Sequence, residues 1–222
     1  MSQEPAKPTL VIGNRNYSTW SLRPWLLLRH FQVEFEEVRL PLDTDEFRSR
    51  IGDFTPAGRV PVLVHGDQRI WESLAICEYA NEVLIGGGGW PEDPAARAEA
   101  RSVACEMHAG FAALRNELPM NCRAVGRRVT PGGAARRDID RVISIWDSAR
   151  RLHGSTGPWL YGDFSIADAM FAPVASRFRT YGIPVPGPAG VWSESILAHP
   201  SMRVWMEGAR LEPEVIDADE AG

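Results

Sequence analysis

The pattern of apolar and polar positions divides the chain into two halves of different character. Residues 9–13 (TLVIG) form a short apolar run of strand length. A polar loop, NRNYST, follows, and WSLRPWLLLRHF then sets Trp20, Leu22, Leu26, Leu27 and Phe31 at helical spacing. Pro24 is tolerated in a first turn but not in a helix interior, so this helix is predicted to begin between Trp20 and Leu22. Residues 33–40 (VEFEEVRL) alternate as a second strand, and residues 44–51 suggest a short helix. Residues 60–65 and 69–71 bracket Gly66-Asp67, a hairpin signal. Residues 73–84 return to helical periodicity, with Ser73 as the predicted N-cap.

The four glycines and two prolines of residues 85–94 have the composition of a linker. Beyond them only helical patterns occur: a long one from 96 to 118, then 135–153, 165–178 and 200–211, with GRRVTPGG and GIPVPGPAGVW read as loops. The first half runs strand, helix, strand, helix, hairpin, helix. A crossover gives a parallel strand pair and the hairpin adds antiparallel strands. The expected fold is therefore an α/β thioredoxin-like domain at residues 8–84, a linker at 85–94 and an all-α helical bundle at 95–216.

Composition removes several classes of function. Net charge is −5, from 24 basic and 29 acidic residues, which argues against a nucleic-acid binder relying on bulk positive charge. The first ten residues hold no apolar signal core, and no apolar run approaches the length of a membrane span, so a reducing, cytoplasmic setting is the expectation. Cys77, Cys105 and Cys122 match no metal or redox spacing. The first two lie in apolar helical patterns and are expected to be buried, whereas Cys122 lies just past a helix end, where it can be exposed. The five histidines show no metal-ligand spacing, and no metal is expected.

The candidate chemistry begins at Thr55-Pro56-Ala57-Gly58-Arg59-Val60-Pro61-Val62-Leu63. A proline in an apolar strand belongs at its start or edge. The whole segment resembles the NPxGxVPxL stretch of the cytosolic glutathione transferases, with Thr55 in place of the usual Asn. The resemblance implies a cis bond before Pro61. It also implies that the N–H and C=O of Val60 pair with the cysteine backbone of glutathione as one strand pairs with another. Glu72-Ser73 resembles the acidic-then-serine pair that opens the third helix of that family. There the helix N-terminus and the serine suit the γ-glutamyl carboxylate, while Glu72 takes the amine. Trp20 joins this set by resemblance, and Arg59 is a candidate partner for a glutathione carboxylate, as Arg50 and Arg15 are more weakly. A second stretch, Gly162-Asp163-Phe164-Ser165-Ile166-Ala167-Asp168, resembles the G-x-x-[ST]-x-A-D segment of the family's helical domain. Its Ser165 and Asp168 read as a capping box with a structural role.

In that family the loop entering the first helix supplies a Tyr, Ser or Cys that stabilises the glutathione thiolate. Here the loop has no Cys, which separates it from the omega-like subgroup, and it most resembles serine-type bacterial and zeta-like members. Ser18 is the first candidate, with Tyr17 and Ser21 as alternatives. Counted back from Arg23, the family spacing falls near Asn16, so the loop departs from the family pattern. The second substrate is expected near Trp20 and the first long helix of the second domain, with His108, Phe111 and Arg115 as lining residues and Arg177 and Tyr181 as further candidates. The resemblance implies a glutathione transferase with glutathione as co-substrate, acting on small, largely apolar electrophiles as a homodimer. A maleylacetoacetate-type isomerase and a non-catalytic interaction module are the alternatives. Ser18-Thr19-Trp20, in place of two serines and a cysteine, favours a general transferase over the isomerase.

Overall fold

The computed structural model describes residues 7–222. Strand β1 (Thr9–Ile12) leads into helix α1 (Thr19–His30), followed by β2 (Glu36–Arg39), α2 (Asp45–Arg50), β3 (Val62–His65), β4 (Gln68–Trp71) and α3 (Ser73–Val83). The sheet order is β2-β1-β3-β4, parallel between β1 and β2 and antiparallel elsewhere. Period-2 alternation decides which residues go to which face. Leu10, Ile12 and Leu63 point towards α1 and α3, while Val11 and Val62 point the other way, onto Leu40 and Ile51. The hairpin turn needs Gly66, whose φ of +58° would strain a residue with a side chain. Helix α1 begins at Thr19, earlier than the predicted Trp20–Leu22. Pro24 is thus inside the helix, where it leaves the carbonyl of Trp20 without its usual donor. The tertiary burial of Leu22, Trp25, Leu26, Leu27 and Leu28 overrides that local penalty.

The second half comprises α4 (Pro94–Ala109), α5 (Ala112–Glu117), α6 (Gly133–His153), α7 (Ile166–Tyr181), α8 (Gly187–Ala198) and α9 (Pro200–Leu211). The single long helix expected over 96–118 is two. A Cβ at Gly110 would stand 2.8 Å from the Glu106 carbonyl oxygen, and Phe111 turns the chain at φ +62°. The stretch read as a loop before residue 193 contains the start of α8, because Pro188 sits in its first turn, where a proline lacks nothing the helix needs. Helix α7 is the centre of this half: every residue but Arg179 is buried, and it packs on α1 as well as on α4 and α8. The cysteine expectations are partly reversed. Cys105 is exposed and Cys122 is buried against Ser176, because the chain after α5 folds inward under α1 and α7. Among the described residues no helix is long and apolar enough to cross a membrane.

A histidine pair joins α1 to the start of α9. His30 Nδ1 and His199 Nε2 are 3.0 Å apart, and His199 Nδ1 accepts the Ser201 N–H. That acceptance fixes the tautomer, so His199 Nε2 donates to His30. His30 also stacks on Phe164, with ring centroids 3.9 Å apart. Burial, then the neighbouring His199, lowers the His30 pKa from 6.5 to about 4, and burial lowers that of His199. Between those values the unfolded chain binds the proton and the folded one does not, so stability falls as pH drops from about 6.5 towards 4. Discounted for its half-exposed position, the His30 contribution is about 1–2 kcal/mol. Urea unfolding at pH 7 and pH 4.5 should show this slope in the native chain and a flatter one in His30→Gln. Equal slopes would assign the acid sensitivity elsewhere.

Candidate active site

Two clefts meet at the N-terminal end of α1. The first, of about 120 Å³, is lined by Trp20, Ala57, Arg59, Val60, Pro61, Trp71, Glu72 and Ser73. The second, of about 390 Å³, is lined by Tyr17, Ser18, Thr19, Trp20, Leu42, Phe47, Gly58, Arg59, Val60, Arg115, Pro119, Met120, Arg177 and Asp219. Trp20, Arg59 and Val60 belong to both. The second volume falls in the range of small-molecule sites.

The wall of the first cleft presents unpaired backbone groups. The Val60–Pro61 bond is cis, and Val60 lies before the paired register of β3, with no backbone hydrogen bond among the described residues. Across from it, α3 begins at Ser73. Glu72, not Ser73, is the N-cap, with φ +69° and no side-chain cap, so the first-turn N–H groups have no side-chain partner. Non-glycine residues rarely adopt such a φ, and backbone strain of about 1–3 kcal/mol of this kind clusters at ligand sites. Ser73 Oγ accepts from Nη1 of Arg23 at 3.4 Å. His108 Nε2 stands 3.6 Å from Glu72 and packs edge-on to Trp20.

The α1 loop is held from the other half of the chain. The buried Glu212 carboxylate accepts the backbone N–H groups of Arg15 and Asn16 at 2.8 and 3.0 Å. Trp205 Nε1 donates to the Arg15 carbonyl, and Asn16 Oδ1 accepts the Arg123 N–H. Ser18 caps α1 by accepting the Ser21 N–H, and its hydroxyl donates to Ser21 Oγ at 2.7 Å. Ser21 Oγ also accepts the Gly13 N–H.

Positive charge gathers behind Trp20. The guanidinium groups of Arg23 and Arg115 lie 4.3 and 4.7 Å from its ring. Arg177 is 5% exposed and donates to the Leu118 carbonyl and to Thr19 Oγ1. Burial lowers the pKa of Arg115 and of Arg177 to about 10, and burial with the two neighbouring arginines holds Arg23 well below its ordinary value. A group at 10 is still charged at neutral pH, so the clefts meet beside a cationic wall suited to anions.

This geometry brings together Trp20, Arg59, Val60, Pro61, Glu72 and Ser73, and it separates several other sequence candidates. Ser21 is fully buried behind Ser18 and reaches neither cleft. Tyr17 faces the second cleft, but its hydroxyl donates to Glu220 at 2.6 Å and accepts from Arg123, and burial raises its pKa. Ser21 is thus out of reach of both clefts, and the Tyr17 hydroxyl is engaged by Glu220 and Arg123. Phe111 is buried in the helical core, because the α4–α5 break turns it inward, and it leaves the second-substrate set. His108 lies by Glu72 instead of in the second cleft. Tyr181 is buried, with its hydroxyl on the Pro119 carbonyl. Arg115 and Arg177 do line the second cleft. Arg50 pairs with Glu46 on the surface and Arg15 with Glu37. Sequence reasoning did not single out Thr19, Trp71 and Asp219, which line the clefts, or Arg23, which lies against Trp20 and Ser73. Only Arg23 carried a signal, as a cation inside the apolar run of α1.

Residues 17–83 match the glutathione S-transferase N-terminal domain, and residues 94–208 match the glutathione S-transferase C-terminal domain. The chain belongs to the glutathione S-transferase family. It is 29% identical over 184 residues to a probable maleylacetoacetate isomerase of Caenorhabditis elegans, covering 81% of this chain and 84% of that one. A dichloromethane dehalogenase of Methylorubrum extorquens is 43% identical over 63 residues, covering 26% of this chain and 21% of that one. A glutathione transferase homologue from Burkholderia, crystallised with glutathione bound, superposes with a TM-score of 0.68 at 26% identity, covering 92% of this chain and 98% of that one. Membership of the family makes this an enzyme with glutathione as co-substrate. Among the described residues no cluster of side chains is arranged to hold a metal.

Proposed function

We propose that glutathione lies in the first cleft with its sulfur at the junction with the second, and that the chain activates this thiol for attack on a small electrophile. The supporting observation is that the unpaired backbone of Val60 and the open N-terminus of α3 face one cleft, which runs into a second through Val60, Arg59 and Trp20. Val60 would hold the cysteine backbone as an added strand. Ser73 and the α3 N–H groups would take the γ-glutamyl carboxylate, Glu72 its amine, and Arg59 the glycine carboxylate. The sulfur then faces Ser18, whose hydroxyl turns from Ser21 to donate to the thiolate. With this reading go the family expectations of a homodimer, a cytoplasmic setting and a detoxifying role.

A glutathione-dependent isomerase is the second reading. Arg115 and Arg177 in the second cleft favour it, since they suit an anionic substrate better than an apolar one. Retention on immobilised glutathione tests the binding half of the proposal, and absence of retention would overturn it. Ser18→Ala should stay bound to the resin and lose about tenfold or more in kcat/KM for conjugation. Full activity in that variant would take the sulfur contact away from Ser18.

A further inference from the structure

We propose that Thr19 is a second catalytic hydroxyl, donating a hydrogen bond to the glutathione thiolate, and that Arg177 of the helical half is the residue that positions and polarises it. The inference rests on glutathione lying in the first cleft with its sulfur at the junction. Thr19 is the first residue of α1 and lines the second cleft together with Ser18 and Val60. Arg177 Nη2 donates to Thr19 Oγ1 at 2.8 Å. A guanidinium has donors and no acceptor, so the direction of that bond is fixed: the threonine oxygen accepts. Its proton therefore remains to be given, and among the described residues it has no acceptor. Ser18 differs, since its hydroxyl already donates to Ser21 Oγ.

Arg177 is itself held. It donates to the Leu118 carbonyl at 2.6 Å, and no carboxylate lies within 4 Å of it among the described residues. Asp219, which lines the same cleft, is the acid whose charge it feels, and Thr19 Oγ1 is the side-chain atom it holds directly. A hydroxyl whose oxygen accepts from a buried cation is a stronger donor, because the cation draws electron density from the O–H bond. It also sits at the N-terminal end of α1, where the helix dipole favours negative charge. When the thiol ionises, its proton leaves to solvent. The resulting thiolate meets an O–H with no acceptor of its own and a buried positive charge behind it. Burial lowers the Arg177 pKa only to about 10, so the cation persists at neutral pH.

The test titrates the thiol of bound glutathione by its ultraviolet thiolate absorbance in the native chain, Thr19→Val, Thr19→Ser and Arg177→Gln. Binding of glutathione and of S-methylglutathione is measured by calorimetry in parallel. Thr19→Val should raise the bound thiol pKa by about one unit or more, a tenfold loss of thiolate at neutral pH. It should leave S-methylglutathione affinity unchanged, since that ligand has no thiolate to stabilise. Thr19→Ser should restore the native pKa, and Arg177→Gln should reproduce part of the Thr19→Val shift. An unchanged thiol pKa in Thr19→Val would overturn the proposal. So would a Thr19→Ser variant as impaired as Thr19→Val, which also decides the matter if Arg177→Gln fails to fold. Failure of the native chain to bind either ligand would instead overturn the placement of glutathione itself.

Discussion

Replacing Asp168 by alanine is expected to remove on the order of 4 kcal/mol of folding stability, the largest single-residue loss in the chain. The side chain is fully buried at the start of α7. Its Oδ1 accepts the Leu160 N–H at 2.9 Å and the Trp192 indole N–H at 2.7 Å. Its Oδ2 accepts the Ser165 N–H and hydroxyl at 2.9 and 3.0 Å, closing the capping box. Alanine would leave four donors without an acceptor in a region closed to water, each costing about 1–3 kcal/mol before relaxation. Burial raises the Asp168 pKa, while these four donors pull it down. Asn should lose less than alanine, because its amide oxygen still satisfies part of the set. A loss of about 4 kcal/mol is roughly a quarter or more of the stability of an ordinary domain. Urea unfolding followed by circular dichroism measures it, and a loss below about 1 kcal/mol would show that water or rearrangement satisfies those donors.

The second large effect has opposite signs for stability and binding. Arg23→Met is expected to stabilise the unliganded protein by about 1–3 kcal/mol and to weaken glutathione binding by about tenfold or more. Arg23 is fully buried, its Nε and Nη2 have no partner, and no carboxylate lies within 4 Å of it among the described residues. A buried cation without a counter-charge costs several kcal/mol, and an apolar side chain of similar length removes that cost. The same cation lies beneath the site proposed for the γ-glutamyl carboxylate, donates to Ser73 Oγ and stacks on Trp20. Its unmet charge is thus a reservoir that an anionic ligand releases. Urea midpoints and calorimetric titration with glutathione read the two effects separately. A destabilised variant with native affinity would overturn both halves of the argument.

The two clefts differ in how much of them the chain reveals locally. Val60, Pro61, Glu72 and Ser73 lie within fourteen residues, and their backbone roles follow from a strand start and a helix start close together in sequence. Such roles depend on local conformation, which turn and cap residues encode. The second cleft draws on Thr19, Phe47, Arg115, Arg177 and Asp219, from both halves of the chain. No periodicity links those positions. Glu212 shows the same limit: it lies in a tail with no helical or strand pattern, yet its carboxylate holds the Arg15 and Asn16 amides. Phe111 misled for a related reason, since helical spacing around it was sound but a φ of +62° turned it inward.

By itself the sequence determined the strand and helix order of the first half and the resemblance to glutathione transferases. Each of these is written in short-range patterns of apolar spacing, glycine, proline and capping residues. Only the tertiary structure decided what each hydroxyl at the start of α1 is bonded to. Ser18 and Thr19 are neighbours of nearly equal chemistry. What separates them is Ser21 beneath one and Arg177, 158 residues away, against the other. A hydroxyl donates according to what already occupies its oxygen, and that is settled by packing across the two halves of the fold.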